Sequence, residues 1–214
     1  MDDAPPYVTP NLERKPLSLR YYQEGIPTVN VEDWRLELVA PGGQKVSLTH
    51  AELLALPQTL HHRRLVCVCN WSIKRWWEGV LLRDVLAAAG IDTGAVSGQY
   101  LRQVSVGTPE KGIYESWISL AGALERQALL AVAVDGHPLP PEQGYPLRLI
   151  DFGLYAYKCV KGLTRLEVTT EARLGYWEEL AGYSLDGTVK PKRYWSVDLR
   201  KHMLAEKPGE VTEW

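Results

Sequence analysis

The chain has 214 residues, a formal net charge of −2 and 45% hydrophobic residues, which is the composition of a folded protein with one or two domains. This balance gives no overall attraction to nucleic acid or to anionic membranes, so any anion-binding site must be local. No run approaches the ~20 apolar residues of a membrane span, and the acidic, proline-bearing start MDDAPPYVTP is unlike a signal peptide. A cytoplasmic location is expected, or a periplasmic one if a precursor segment has been removed.

The first part of the chain predicts an arm followed by a strand and a short helix. Residues 1–33 hold five prolines and little periodicity, which indicates an extended arm. WRLELV (34–39) alternates between apolar and polar residues like a strand. The helix begins at Thr49, which forms a capping box with Glu52, and it ends before Pro57.

Strands outnumber helices in the rest of the chain. The amphipathic run at 80–90 and the short run at 119–126 predict helices, whereas Asp135-Gly136 predicts a hairpin turn. The pattern favours a single α+β domain over residues 1–214, with mixed, largely antiparallel coiled sheets and short helices. We expect residues 190–214 to form a surface tail. Further strands are predicted at 63–69, 99–106, 129–140, 145–151 and 163–169.

Two of the three cysteines, Cys67 and Cys69, lie in the predicted strand LVCVC. Three cysteines are too few for a disulfide framework. A bridge between Cys67 and Cys69 is not expected. Cys69 and Cys159 have the simpler interpretation of small core residues.

The cysteines allow three further kinds of site. Zinc would need a second ligand pair to match His61 and His62, and the sequence offers none at a suitable spacing. A cysteine protease would need a base and an orienting group that the five scattered histidines do not indicate. A thiolate held just after a strand, by contrast, suits a soft or high-valent transition metal.

Three blocks of sequence resemble the sulfite oxidase and methionine-sulfoxide-reductase type of molybdopterin-binding oxidoreductase. Residues 67–86 read CVCNWS followed by WEGVLLRDVL, which resembles the family pattern Cys-Val-x-x-Trp-Ser and then Trp-x-Gly-Val-x-Leu-x-Asp-Leu-Leu. Residues 135–168 and 175–183 resemble two later family blocks, in the family's order. The resemblance covers roughly residues 17–190, and it implies a stand-alone molybdopterin domain of the sulfite oxidase fold.

The resemblance implies a cofactor in which molybdenum is bound by the dithiolene of a phosphate-bearing pterin. It makes Cys67 the metal ligand and leaves Cys69 at a variable position. Arg148 matches the family's cofactor-binding arginine, since a guanidinium can grip a phosphate with two hydrogen bonds. A surface salt bridge is the alternative for Arg148, and a solvated lysine pair is the alternative for Lys158 and Lys161. The segment implied to hold the cofactor comprises Lys158, Cys159, Val160 and Lys161.

Other residues are implied to face the pterin or the substrate. Arg20 in the arm is expected near the substrate oxygen, with Tyr21 and Tyr22 near the pterin. Tyr183 aligns with the tyrosine that sulfite oxidases place beside the metal, where a phenol donates a hydrogen bond. Ser105, or alternatively Thr108, is a further candidate for a cofactor contact.

Departures from the family pattern leave the substrate undecided. Gln143 stands where histidine is common and cannot become cationic, although it is still implied to contact the cofactor. We expect a molybdenum-dependent oxidoreductase that transfers an oxygen atom to or from a small sulfite-like or S-oxide-like substrate. A haem or other electron carrier is expected as a separate redox partner. The alternative is a non-catalytic descendant that binds a ligand or a partner protein.

Overall fold

Two β-sheets and four short helices make up the part of the chain that the computed structural model describes, residues 24–94 and 97–212. The helices are α1 (His50–Ala55), α2 (Leu82–Ala88), α3 (Leu120–Glu125) and α4 (Tyr176–Ala181). The strands are β1 (Arg35–Val39), β2 (Lys45–Thr49), β3 (Gln58–Val66), β4 (Trp71–Leu81), β5 (Tyr100–Ser105), β6 (Glu115–Ser119), β7 (Leu129–Val134), β8 (His137–Pro138), β9 (Arg148–Ile150), β10 (Leu163–Thr169), β11 (Arg193–Ser196) and β12 (Lys201–Leu204).

The first sheet has five strands within the described ranges, in the order β2-β1-β10-β5-β6. Only the central pair β1 and β10 runs parallel in this sheet, and the other neighbours are antiparallel. The second sheet contains the described strands in the order β12-β11-β4-β7-β8, with β3 also paired to β4 and β9 to β7. Among these described strands, the one parallel pair is β11 with β4. The expected α+β class with mixed, largely antiparallel sheets is confirmed.

The main core joins the two sheets. Leu36 on β1, Val80 on β4, Leu130 on β7 and Leu166 on β10 belong to one buried cluster, together with Leu86 on α2. Burying such a side chain contributes about 1.5–3 kcal/mol relative to leaving it exposed. This shared core fixes the position of β4 and of the loop that precedes it.

The local signals in the sequence are confirmed where they rest on capping and turn chemistry. Thr49 and Glu52 form both halves of the capping box at the start of α1. Asp135 and Gly136 both have positive φ angles, 49° and 75°, as a two-residue hairpin requires. Gly79 is needed for packing, since a Cβ atom there would lie 2.0 Å from the Leu130 carbonyl oxygen.

The C-terminal segment differs from the predicted surface tail. β11 pairs in parallel with β4, matching Trp195 to Trp71, and β12 forms the outer edge of the sheet. Tyr194 on β11 is fully buried, in a cluster with Val66 and Tyr155. The prediction was wrong because the strand signal at residues 194–197 is only four residues long and is flanked by charged and proline residues in the sequence.

No helix in residues 24–94 and 97–212 is long and apolar enough to cross a membrane.

Candidate active site

Cys67 begins the tight loop that joins β3 to β4. Its N–H donates to the Trp71 carbonyl oxygen at 2.8 Å, and its own carbonyl oxygen accepts from the Asn70 N–H at 3.1 Å. Asn70 has a φ angle of 67°, which asparagine tolerates better than most residues. The prediction that both cysteines lie in a strand is therefore wrong, because β3 ends at Val66 and the chain turns at once.

The loop lies on one wall of a cavity of about 300 Å³, which is within the usual size range of small-ligand sites. β3, β4, β9, α4 and the loops between them all contribute to its walls. Of the residues that the structure describes, the cavity is lined by Glu24, Leu65, Cys67, Val68, Cys69, Trp71, Tyr114, Gln143, Arg148, Ala156, Tyr157, Lys161, Trp177 and Tyr183.

Two cationic side chains from neighbouring backbone segments face this cavity. Arg148 on β9 is 3% exposed, and the backbone of Arg148 forms a bridge with that of Lys161. Its guanidinium donates to the Gln143 carbonyl oxygen at 3.1 Å. The Lys161 ammonium lies 3.7 Å from the Glu24 carboxylate, and burial lowers the pKa of Lys161 to about 8. The cavity therefore combines the buried Arg148 and the half-buried Lys161 with a single adjacent carboxylate among its described lining residues, which favours an anionic ligand.

Tyr157, Trp177 and Tyr183 form an aromatic wall of the same cavity. The rings of Tyr157 and Tyr183 lie 4.9 Å apart, and the ring of Trp177 stacks on Tyr183 at 6.1 Å. Burial raises the pKa of Tyr183, so its hydroxyl stays protonated and can donate a hydrogen bond. Trp71 is 6% exposed, and its indole N–H has no partner among the described residues. A buried donor of this kind at a cavity wall indicates a ligand that accepts a hydrogen bond.

The two thiols of the loop interact with each other. The Cys69 N–H lies 3.5 Å from the Cys67 sulfur. A hydrogen bond between the side chains and the burial of Cys67 raise the pKa of Cys67, and the same hydrogen bond lowers the pKa of Cys69 to about 6. The Cys67 thiol therefore keeps its proton next to Cys69 in the cofactor-free protein. Binding of a metal to the sulfur would remove that proton.

In the segment after Ala156, some side chains face the cavity and others are buried in the core. Lys161 faces the cavity, whereas the Lys158 ammonium forms a fully buried ion pair with Glu178 on α4. Cys159 and Val160 are buried in hydrophobic clusters, and burial raises the pKa of Cys159 to about 11. Lys158 thus fixes α4, which carries Trp177, and it does not line the cavity in the described structure.

Gln103 on β5 holds the backbone of the same segment. Its side-chain amide donates to the Lys158 carbonyl oxygen at 2.9 Å and accepts from the Val160 N–H at 3.1 Å. Gln103 is completely buried. The segment that presents Lys161 is therefore tied to the first sheet by a side chain in the way that a neighbouring strand would tie it.

Ser105 contacts a residue that lines the cavity. Its hydroxyl accepts from the Tyr114 N–H at 2.7 Å. Tyr114 lines the cavity, and its hydroxyl donates to the Tyr157 carbonyl oxygen. Ser105 supports the aromatic wall, and in the described structure it does not line the cavity.

The structure brings five of the expected site residues to one cavity: Cys67, Gln143, Arg148, Lys161 and Tyr183. Three other expected residues, Arg20, Tyr21 and Tyr22, lie outside the described residues.

Sequence reasoning missed Cys69, Tyr157, Trp177, Trp71 and Glu24 as lining residues. Trp71 and Cys69 stand inside the quoted motif, so their nearness to Cys67 was the available signal. Tyr157 and Trp177 also lie inside quoted blocks, but nothing local shows which of many aromatic residues face a cavity. Glu24 is placed only by tertiary contacts.

The donor set fits a ligand that carries both a soft metal and an anionic group. A thiolate is a soft ligand, and Arg148 with Lys161 suits a phosphate. Within the described ranges, no group of three or more His, Cys, Asp or Glu side chains could hold a metal ion. A metal at Cys67 would therefore take its other ligands from a cofactor.

Comparison with known proteins gives a family match and several curated relatives. The family described as "Oxidoreductase molybdopterin binding domain" matches residues 23–177. A putative protein-methionine-sulfoxide reductase subunit, YedZ1, of Azospira oryzae is 33% identical over 80% of this chain and 62% of its own length. Rat mitochondrial sulfite oxidase is 29% identical over 80% of this chain and 35% of its own length. The chain thus spans between about a third and two thirds of these two relatives.

Two further matches bear on the extent and the fold of the domain. The uncharacterized oxidoreductase YuiH of Bacillus subtilis is 30% identical over 72% of this chain and 74% of its own length. The solved structure of the sulfane dehydrogenase SoxCD from Paracoccus pantotrophus aligns with a TM-score of 0.61 at 22% identity, over 72% of this chain and 42% of that one. At this identity the structural match supports the fold alone.

Proposed function

The chain belongs to the molybdopterin-binding oxidoreductase family, and on that premise we propose that it is a molybdenum-dependent oxidoreductase with Cys67 as the protein ligand of the metal. Its reaction would move an oxygen atom to or from a small substrate. The observation that carries this proposal is the meeting of the Cys67 thiol with Arg148 and Lys161 around one cavity. A protein that bound only a neutral ligand would need neither the thiol nor the two cations.

The residues of the cavity divide the work of holding the cofactor. Arg148 and Lys161 would bind its phosphate, and the Trp71 indole N–H and the Gln143 amide would donate hydrogen bonds to polar atoms of the pterin. Cys67 would lose its proton on ligation. When bound, the molybdenum centre supplies the change of oxidation state that oxygen-atom transfer requires.

The substrate side would be formed by the aromatic wall. The protonated Tyr183 hydroxyl can donate to the oxygen of a substrate, while Tyr157 and Trp177 exclude water from one side. Arg20, which lies outside the described residues, remains our second candidate for that oxygen. An aromatic wall favours an S-oxide with an organic substituent over a small dianion, and the name of the YedZ1 relative supports reduction as the direction.

A separate electron carrier is part of the proposal. Oxygen-atom transfer changes the metal by two electrons, and each turnover needs a carrier that supplies or removes them. The YedZ1 relative is named a subunit, which supports a redox partner outside this chain.

The test is the molybdenum and pterin content of protein made in a host with an intact cofactor pathway. Wild-type protein should contain about one molybdenum per chain and should release a phosphate-bearing pterin on denaturation. Cys67→Ser should lose S-oxide reduction with a reduced dye as electron donor, because a serine oxygen is a harder and more basic ligand than a thiolate. Cys159→Ser, which changes a buried thiol away from the cavity, is the matched control and should keep both cofactor and activity.

The proposal fails if wild-type protein from such a host contains neither molybdenum nor pterin. That result would favour a protein that binds a ligand in the same cavity without catalysis. Cofactor content with sulfite oxidation and no S-oxide reduction would instead keep the enzyme and reverse the proposed direction.

A further inference from the structure

Cys67 and Cys69 are brought together by the loop that begins at Cys67. The hydrogen bond from the Asn70 N–H to the Cys67 carbonyl oxygen closes a β-turn, whose first and fourth Cα atoms lie within about 7 Å of each other. The first and third residues of such a turn can meet the Cα separation of about 4.4–6.8 Å that a disulfide needs. The Cys67 sulfur accepts from the Cys69 N–H at 3.5 Å, so the Cys67 side chain is already turned toward Cys69.

Both sulfurs are also reachable. Cys69 is exposed, Cys67 is half-buried, and both line the same cavity. Cys159, the third cysteine, is 1% exposed and lies in a hydrophobic cluster. Oxidation should therefore select the loop pair and spare Cys159.

We propose that Cys67 and Cys69 form a disulfide when the chain is free of cofactor, and that this bond blocks cofactor loading. The disulfide itself does not depend on the proposed function. The block on loading does, because it rests on Cys67 being the metal ligand.

The reaction needs a two-electron oxidant, such as a peroxide. The exposed Cys69 sulfur attacks one peroxide oxygen, the O–O bond breaks, and the first water leaves with the thiol proton, which gives a sulfenic acid at Cys69. The Cys67 sulfur then attacks the Cys69 sulfur, the S–O bond breaks, and the second water leaves. Two thiols are oxidised and one hydrogen peroxide is reduced to two waters.

A disulfide at Cys67 would prevent this residue from binding the metal. A sulfur atom in a disulfide carries no thiolate charge, so oxidised Cys67 cannot ligate the metal until a thiol reductant cleaves the bond. Once the metal is bound, Cys67 is no longer available to Cys69. The two states exclude each other, and the pair would protect an empty site from irreversible oxidation of Cys67.

The assay is a peptide map of the full chain made in a host that lacks the cofactor pathway. Trypsin cuts after Arg64 and Lys74, so both cysteines fall in the single peptide Leu65–Lys74, whereas Cys159 falls in another. After mild hydrogen peroxide treatment and alkylation, this peptide should weigh two hydrogen atoms less than the unalkylated reduced peptide. It should become doubly alkylated after dithiothreitol. Cys159→Ser should behave like wild type, and Cys69→Ser should not lose the two hydrogens.

A peptide that instead gains oxygen atoms or stays doubly alkylated after peroxide would overturn the disulfide. The wild-type map alone decides this point, even if a variant fails to fold.

Loading is tested by adding molybdenum cofactor released from another molybdoenzyme and measuring bound molybdenum. Oxidised protein should bind almost none, and dithiothreitol should restore binding to the level of untreated protein. Equal binding by oxidised and reduced protein, with the disulfide present in the map, would overturn the block. If reduced protein also binds no molybdenum, the proposed function fails, and the proposed block on cofactor loading fails with it. The disulfide itself is then tested by the peptide map alone.

Discussion

Lys158 and Glu178 form an ion pair in which neither side chain is exposed to solvent. The pair joins the segment before Lys161 to α4, and it lies within one helical turn of Trp177. Burial lowers the pKa of Lys158, and the neighbouring Glu178 carboxylate opposes that shift. An ion pair at this depth is costly to break from one side.

Lys158→Met should therefore lower the free energy of unfolding by about 3–5 kcal/mol, because it leaves the Glu178 carboxylate buried without its partner. The double variant Lys158→Met/Glu178→Leu removes both charges and should recover most of the loss. Urea denaturation followed by tryptophan fluorescence measures both. A double variant no more stable than the single one would show that packing around Lys158, and not the charge pair, is what matters.

Lys161 should make cofactor retention depend on pH. Because burial lowers its pKa to about 8, Lys161 in the cofactor-free protein is charged below that pH and loses its positive charge above it. Affinity for an anionic phosphate should then fall as the pH is raised above about 8. Molybdenum retained after dialysis at a series of pH values is the measurement.

Lys161→Arg is the control for this titration, since an arginine keeps its charge throughout the range. It should hold its molybdenum over the pH series without the fall seen in wild type. A parallel fall in both proteins would assign the pH dependence to another group.

Gln103→Leu should loosen the cofactor segment, because it leaves the Lys158 carbonyl oxygen and the Val160 N–H buried without partners. The cost should be about 1–3 kcal/mol for each group left unsatisfied. Thermal unfolding and molybdenum content are measured on the same preparation, with the exposed Gln44→Leu as the matched control. Full stability and full cofactor content in Gln103→Leu would contradict the role given to this amide.

Arg148→Ala and Arg20→Ala should separate cofactor binding from substrate binding. Removing Arg148 takes away a hydrogen bond to a charged group, worth about 1.5–3 kcal/mol, so molybdenum content should fall. Removing Arg20 should leave the content nearly unchanged and raise the KM for an S-oxide. The exposed Arg83→Ala should change neither quantity. If Arg20→Ala loses molybdenum as badly as Arg148→Ala, the arm binds the cofactor, and the substrate face rests on Tyr183.

Much of the fold could be predicted from the sequence because its signals are local. The capping box at Thr49 and the turn at Asp135 each depend on a few adjacent residues, and both are present in the structure. β11 could not be found in this way, since Tyr194 is buried by strands that are distant in sequence. Likewise, the residues of β4 were identified as part of a family motif, but the sequence did not predict that they form a strand.

The site was predicted to the level of motifs and not of side-chain directions. Cys67, Arg148 and Lys161 were identified by resemblance, and they lie around one cavity. Lys158 was grouped with Lys161 because they are three residues apart, yet the short 3-10 turn at Ala156–Lys158 directs Lys158 to Glu178. Cys69 was set aside because it stands at a variable position of the family pattern, yet it lines the same cavity as Cys67.

The parallel pairing of β11 with β4 sets the order in which the site can be built during synthesis. The Trp195 N–H donates to the Asn70 carbonyl oxygen at 2.8 Å, so the loop of Cys67 is supported by a strand made long after it. A nascent chain still attached to the ribosome carries Cys67, Arg148 and Lys161 before it carries that support. The loop of Cys67 therefore gains this backbone partner only after β11 has left the exit tunnel.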